Sequence, residues 1–156
     1  MRISNKYLTF IVIIILIAGC KKKSNIIAEP PDTTKPTIII TQPTAGQAFV
    51  TGNTIAFQAT FSDNKELKNY VVTVTKVTTS GMILKIVPTV KLFSYTSPPP
   101  GTFGTGVKQQ VITLSDIVIP QHTATELVAT GKYNVKATCS DTAGNTAEAI
   151  VEININ

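Results

Sequence analysis

Apolar and polar positions along this chain fall into three regimes. From Leu8 to Ile17 an apolar run is interrupted only by Thr9. That is about half of the ~20 residues a membrane-spanning helix needs, and it fits the apolar core of an export signal. From Lys21 to Lys35 there is little to bury, and Pro30 and Pro31 punctuate the segment. Such a composition predicts a semi-extended tether of at most ~3.1 Å per residue, on the order of 45 Å in all. Beyond Pro36, short alternations of apolar and polar residues separated by turn residues take over, as in antiparallel β-structure.

The alternation is cleanest at Ile55, Phe57, Ala59 and Phe61, with Thr54, Ala56, Gln58 and Thr60 on the opposite face, which predicts a half-buried strand. Thr37 to Thr41 predicts an earlier strand, and Leu67 to Val77 a later one with Tyr70, Val72 and Val74 inward. Met82 to Tyr95 reads as one long strand or two short ones, with Pro88 forcing a bulge or an edge. Ser97 to Gly106, rich in proline and glycine, predicts a loop, and Val107 to Leu114 a strand. Ser115 to Thr130 then forms a long connection, in which Ala124 to Ala129 is compatible with one helical turn. Lys132 to Cys139 turns Tyr133, Val135, Ala137 and Cys139 inward, and Asp141-Thr142-Ala143-Gly144-Asn145 makes a hairpin loop. Thr146 to Asn156 closes the domain with Ala147, Ala149, Val151 and Ile153 on one side. About seven strands with turns at this spacing predict an all-β antiparallel sandwich. The organisation expected is 1–19 signal, 20–35 tether and 36–156 a single domain, long enough for its own core.

The net charge of +5 changes the picture only after it is located. Arg2, Lys6, Lys21, Lys22 and Lys23 account for five of the fourteen cationic residues, leaving nine lysines against nine acidic residues. The folded part is therefore formally neutral, and a nucleic-acid partner is not expected. Cys139 belongs to an inward strand face and is expected to act as a small buried apolar residue rather than to pair with Cys20.

Leu16-Ile17-Ala18-Gly19-Cys20 resembles the lipobox of bacterial lipoproteins. The resemblance implies cleavage before Cys20 and acylation of its sulfur, with a further acyl chain on the new amino terminus; more than one chain is needed for stable anchoring. Tyr133, shortly after Gly131 and opening the penultimate strand, is placed like the tyrosine corner of immunoglobulin and fibronectin type III sandwiches. Together with Asp32-x3-Pro36-x-Ile38, Gly52-x-x-Ile55, Phe61-Ser62-Asp63-Asn64-x-Glu66-Leu67 and Ser140-Asp141-x-x-Gly144-Asn145, it resembles a family of uncharacterised Ig-like lipoproteins from Bacteroidetes, a domain of unknown function. That implies an Ig-like or fibronectin-III-like sandwich in which Tyr133 and Gly144 are structural. Surface-exported lipoproteins of Bacteroidetes tend to carry acidic residues just after the cysteine, whereas this chain has Lys21-Lys22-Lys23. The outer membrane facing the periplasm is the expected address, with the cell surface as the alternative.

Candidate chemistry is thin. His122 is the only histidine, no Gly-x-Ser-x-Gly elbow surrounds a serine, and the glycines of 101–106 lead into a strand where a phosphate loop would open a helix. An enzyme is not expected. Sandwich topology would gather the loops after the second and sixth strands with the start of the first, bringing Asp63, Asn64 and Glu66 near Asp141 and Asn145, with Asp32 beside them. Calcium takes six to eight oxygens from such groups. The explanation preferred needs no ion, because Asp and Asn form tight turns by bonding their own backbone and no dense Asp-x-Asp run is present; no cofactor is expected, with calcium as the alternative. The function expected is a membrane-anchored binding or scaffolding module for an envelope protein or glycan. The alternatives are a purely structural spacer and a calcium-binding adhesion-type module.

Overall fold

A computed structural model describes residues 29–78, 89–97 and 100–156. Two compact units are present, Met1–Pro30 and Pro31–Asn156, and the second is the β-domain. Cys20, the expected export signal, Pro88 and the expected turn at 79–81 lie outside the described residues.

The domain is an all-β sandwich. One sheet has three strands in the order β1 (Thr37–Gln42), β3 (Thr54–Ser62), β8 (Gln109–Val118). The other runs β2 (Ala48–Phe49), β11 (Thr146–Ile155), β10 (Gly131–Asp141), β4 (Leu67–Lys76), β6 (Ser94–Thr96), with β7 (Gly101–Thr102) also on β4. A separate parallel ribbon joins β5 (Thr89–Lys91) to β9 (Glu126–Val128). The first-strand region divides between the sheets, β1 pairing antiparallel with β3 and β2 parallel with the end of β11. Set against the other long strands, this is the Ig-like, fibronectin-III-like arrangement.

The alternations set out above point where expected. Ile55, Phe57, Ala59 and Phe61 are fully buried, as are Val72, Val74, Tyr133, Val135 and Ala137, while Tyr70 packs half-buried against them. Each large side chain removed from water contributes about 1.5–3 kcal/mol before entropy is counted. Ala147 and Val151 reach the core from β11 only partly, with Ile153 and Ile155 completing it.

Two regions depart from the expectation. The connection 115–130 is shorter than expected because β8 continues to Val118, and its 124–129 stretch holds β9 in place of a helical turn. The reason is long-range pairing: Glu126, Leu127 and Val128 stand opposite Thr89, Val90 and Lys91, and the Val128 N–H donates to His122 Nδ1 at 3.0 Å. Within the expected loop 97–106, Gly101 and Thr102 pair with Tyr70 and Asn69. Gly101 is required there by contact rather than by turn geometry, since a Cβ would lie 2.0 Å from the Tyr70 ring. That ring packs with Phe61 and Phe103, centroids 5.4 and 5.2 Å away, closing one end of the core.

The tyrosine corner is present. Tyr133 is wholly buried and its hydroxyl donates to the Ala129 carbonyl at 2.5 Å, while Lys76 Nζ lies 5.1 Å from its ring centre. On the open side of the sandwich the Tyr95 hydroxyl donates to the Asp116 carboxylate at 3.1 Å, linking β6 to β8. Burial, then the Asp116 hydrogen bond and charge, push the Tyr95 phenol up to about 12. Tyr133→Phe keeps the packing but orphans the Ala129 carbonyl, and should lower stability by about 1–3 kcal/mol. Urea denaturation of both proteins checks this; an unchanged midpoint would mean the hydroxyl contributes nothing net.

Candidate functional site

The candidate site lies at the end of the sandwich where β1 begins, β3 hands over to β4 and β10 turns into β11. Its groups come from three segments, each folded locally by its own carboxylate. Asp63 follows β3, and its Oδ1 accepts the Lys65 and Glu66 N–H groups, both at 2.8 Å, which bends the chain back toward β4. Asp141 ends β10, and its Oδ1 accepts the Asn145 N–H at 2.8 Å across a hairpin in which Gly144 takes φ 95°. Asp32 precedes β1, with its Oδ1 accepting the Thr34 N–H at 3.0 Å. Up to this point turn chemistry accounts for every bond.

Turn chemistry does not account for what remains. Asp32, Asp63 and Asp141 each present an oxygen, and these oxygens all lie within 4.8 Å of one another. Asp141 is 1% exposed. A buried carboxylate is costly unless hydrogen-bonded, and Asn145 Nδ2 serves it, donating to Asp141 Oδ2 at 2.7 Å and to the Asp32 carbonyl at 3.1 Å. Asn64 Nδ2 donates to Asp32 Oδ1 at 3.3 Å. The second oxygen of Asp63 is buried and has no hydrogen-bond partner. Orphaned buried acceptors are rare enough that each asks for an explanation.

Of the residues expected at this pole, Asp63, Asn64, Asp141 and Asn145 are gathered with Asp32, and Glu66 faces elsewhere. Glu66 Oε1 accepts the Gly106 N–H at 2.7 Å and its carbonyl accepts the Thr142 N–H at 3.1 Å. It fastens the glycine loop and the hairpin to the pole without joining the carboxylate group. Both asparagines present N–H donors to the carboxylates, so an amide oxygen could serve a cation only after the amide rotates. Asp32, assigned by sequence to the tether, is bonded to both asparagines. His122 is at the opposite pole, holding β9. A shallow hollow of about 650 Å³ on the outer face of the larger sheet is floored by Asn69, Ser140 and Thr146 in one cross-strand row, but Ser140 Oγ already donates to Asn69 Oδ1 at 2.6 Å.

Charge at the pole is felt nearby. The Cys139 thiol is pushed up to about 11, chiefly by burial and then by the charges of Asp63 and Asp141. It is free and 3% exposed, so it stays protonated and unreactive at neutral pH. The Thr34 backbone hydrogen bond, against the opposing effect of desolvation and with help from Asn64 and Lys65, holds the Asp32 carboxyl below its ordinary value.

A family model matches residues 19–156. The chain belongs to DUF4625, a domain of unknown function. No curated protein matches the DUF4625 chain in sequence. Among solved structures it is similar to the fibronectin(III)-like modules of Clostridium thermocellum CbhA, at 16% identity and TM-score 0.39 over 76% of this chain and 94% of that one. It is also similar to the sporulation control protein Spo0M of Bacillus subtilis, at 13% identity and TM-score 0.39 over 78% of this chain, which spans about half of that protein (49%).

Because the folded Asp32 carboxyl sits below its unfolded value, its contribution to stability is present above the ordinary carboxylate range. It is lost as pH falls through the folded value. Asp32→Asn should therefore lower stability at pH 7 and flatten the acid limb, so that the two proteins converge well below about pH 4. Urea midpoints from pH 7 to acid would show this, and an identical acid limb in both proteins would contradict it.

Proposed function

We propose that this DUF4625 chain is a lipid-anchored cell-envelope protein whose Ig-like domain is a non-enzymatic binding and scaffolding module, and that its acidic pole takes calcium. One observation carries the calcium reading: three carboxylates from separate segments converge within 4.8 Å, and Asp63 Oδ2 among them is buried without a donor. A hard divalent cation supplies what that oxygen lacks and neutralises like charges that otherwise repel. Asp32, Asp63 and Asp141 would be direct ligands, with water or the Asp32 carbonyl filling further positions. Bound there, the ion ties the segment that precedes β1 to both neighbouring loops.

A second reading is supported by Asn145, whose amide already bridges Asp141 and Asp32. The pole is then closed by hydrogen bonds alone and the domain is a spacer. Calcium at about 100 times its dissociation constant would add roughly 2.7 kcal/mol, a rise of about 5 to 15 °C in melting temperature. Differential scanning calorimetry of the full chain with and without calcium decides between the two. Loss of the rise in Asp63→Ala and Asp141→Ala supports calcium, and no rise in the parent chain leaves the spacer.

The anchoring reading rests on Leu16 to Cys20. With the chain entering at the acidic pole, that pole faces the membrane and the 115–130 region faces outward. The Lys21-Lys22-Lys23 run favours the outer membrane's periplasmic face. Cys20→Ser should abolish labelling by a clickable palmitate and release the chain from the membrane fraction. The parent domain should resist added protease until the outer membrane is permeabilised; digestion on intact cells would put it on the surface instead.

A further inference from the structure

The oxygens of the acidic pole are served unevenly. Asp63 Oδ2 is buried without a donor, whereas both oxygens of Asp141 are occupied by a single residue. Asp141 Oδ1 accepts the Asn145 backbone N–H at 2.8 Å, and Oδ2 accepts Asn145 Nδ2 at 2.7 Å. The same Nδ2 donates to the Asp32 carbonyl at 3.1 Å. Both hydrogens of this amide are therefore spent on oxygens from two different segments. The hairpin does not require that bridge, since its own closure comes from the Asp141 N–H donating to the Asn145 carbonyl at 3.0 Å.

The group that stands between Asp141 and Asp32 thus presents two positively polarised hydrogens where a cation would be shared. Calcium lies roughly 2.3–2.6 Å from its oxygens, and a nitrogen 2.7 and 3.1 Å from two of them takes up much of the space the ion would need. The two cannot both occupy it. Their reach differs, however. An amide nitrogen has two hydrogens to give, and neither serves Asp63 Oδ2. A divalent ion can meet oxygens from all three segments at once, because Asp32, Asp63 and Asp141 each offer one within 4.8 Å of the others.

We propose that Asn145 is a placeholder for the cation: its side-chain amide and calcium exclude each other, and this residue sets how tightly the pole holds the ion. The inference rests on the calcium reading above and adds what the ion must displace. The hydrogen-bonded and ion-bound poles are then two states of one site. Without the ion, Asp32 is held by Asn145 and, through its carboxylate at 3.3 Å, by Asn64. With the ion bound, the metal takes over from Asn145, so the domain is folded in both states and calcium changes which group holds the segment ahead of β1.

The test is isothermal titration calorimetry of the full chain with calcium chloride, together with melting temperatures in the absence and at saturation of calcium. Asn145→Ala removes both donors, adds no charge and leaves the backbone N–H on Asp141. It should lower the calcium-free melting temperature, leave the calcium-saturated one nearly unchanged and tighten calcium by about fivefold or more, because a hydrogen bond to a charged group no longer has to be given up. Asn145→Asp keeps the size of the side chain and exchanges donors for an acceptor, so it reads the same competition if the smaller residue loosens the hairpin; calcium should tighten by about tenfold or more. A residue that supports the hairpin, or that orients Asp141 toward the ion, predicts the reverse in Asn145→Ala. Calcium binding that is weaker or unchanged, with both melting temperatures falling together, would therefore overturn the proposal. If the parent chain binds no calcium, the reading of the pole as its calcium site fails by itself. The placeholder then requires binding to appear in the two variants, and silence in both overturns it as well.

Discussion

The inward rhythm of β10 does not stop at Cys139. A strand turns every second side chain to the same face, and the next inward position is Asp141. Pairing with β4 and β11 on either side fixes that register, so the carboxylate is carried under the roof of the sandwich and left 1% exposed. Much of the adjoining end of the molecule serves this one buried acid. Asn145 turns back to bond it, the hairpin closes around it, and Asp32 is drawn in through the same amide. The group that this arrangement leaves unserved is Asp63 Oδ2.

Legibility in the sequence followed periodicity. Where alternation ran for four or more inward residues, as at Ile55 to Phe61 and Tyr133 to Cys139, burial and facing are as the pattern dictates. The tyrosine corner could be read because a single residue type after a glycine has one geometric role there. The acidic pole could be read as a neighbourhood, since strand order brings those loops together, but not as a set of roles. Nothing in Asp63-Asn64-Lys65-Glu66 distinguishes the carboxylate that converges from the one that turns aside to Gly106. β9 was illegible because three residues carry no period and their partners are more than thirty positions earlier. Gly101 looked like loop punctuation, and its role as the floor beneath Tyr70 exists only once β4 and β7 meet.

The two ends of the sandwich thus differ in kind. One gathers oxygens ahead of β1; the other holds a small hollow lined by Leu92, Phe93, Leu127 and Val128 together with the Lys91–Glu126 ion pair. The faces between them are quieter. On the larger sheet, Lys132–Glu152 at 2.7 Å and Lys136–Glu148 at 3.9 Å are exposed pairs, of a kind that contributes little to stability.

The division of the first-strand region between the two sheets also has a mechanical side. Tension arriving through Pro31 would run along the axis of β1, at right angles to the hydrogen bonds that join it to β3 from Thr37 opposite Ser62 to Ile40 opposite Ala59. In a domain gripped at its far end, those bonds share the pull in shear instead of parting one at a time like a zip. Beyond them, β2 is stitched to β11 in the other sheet, so a domain pulled from Pro31 resists as a clamp spanning both layers.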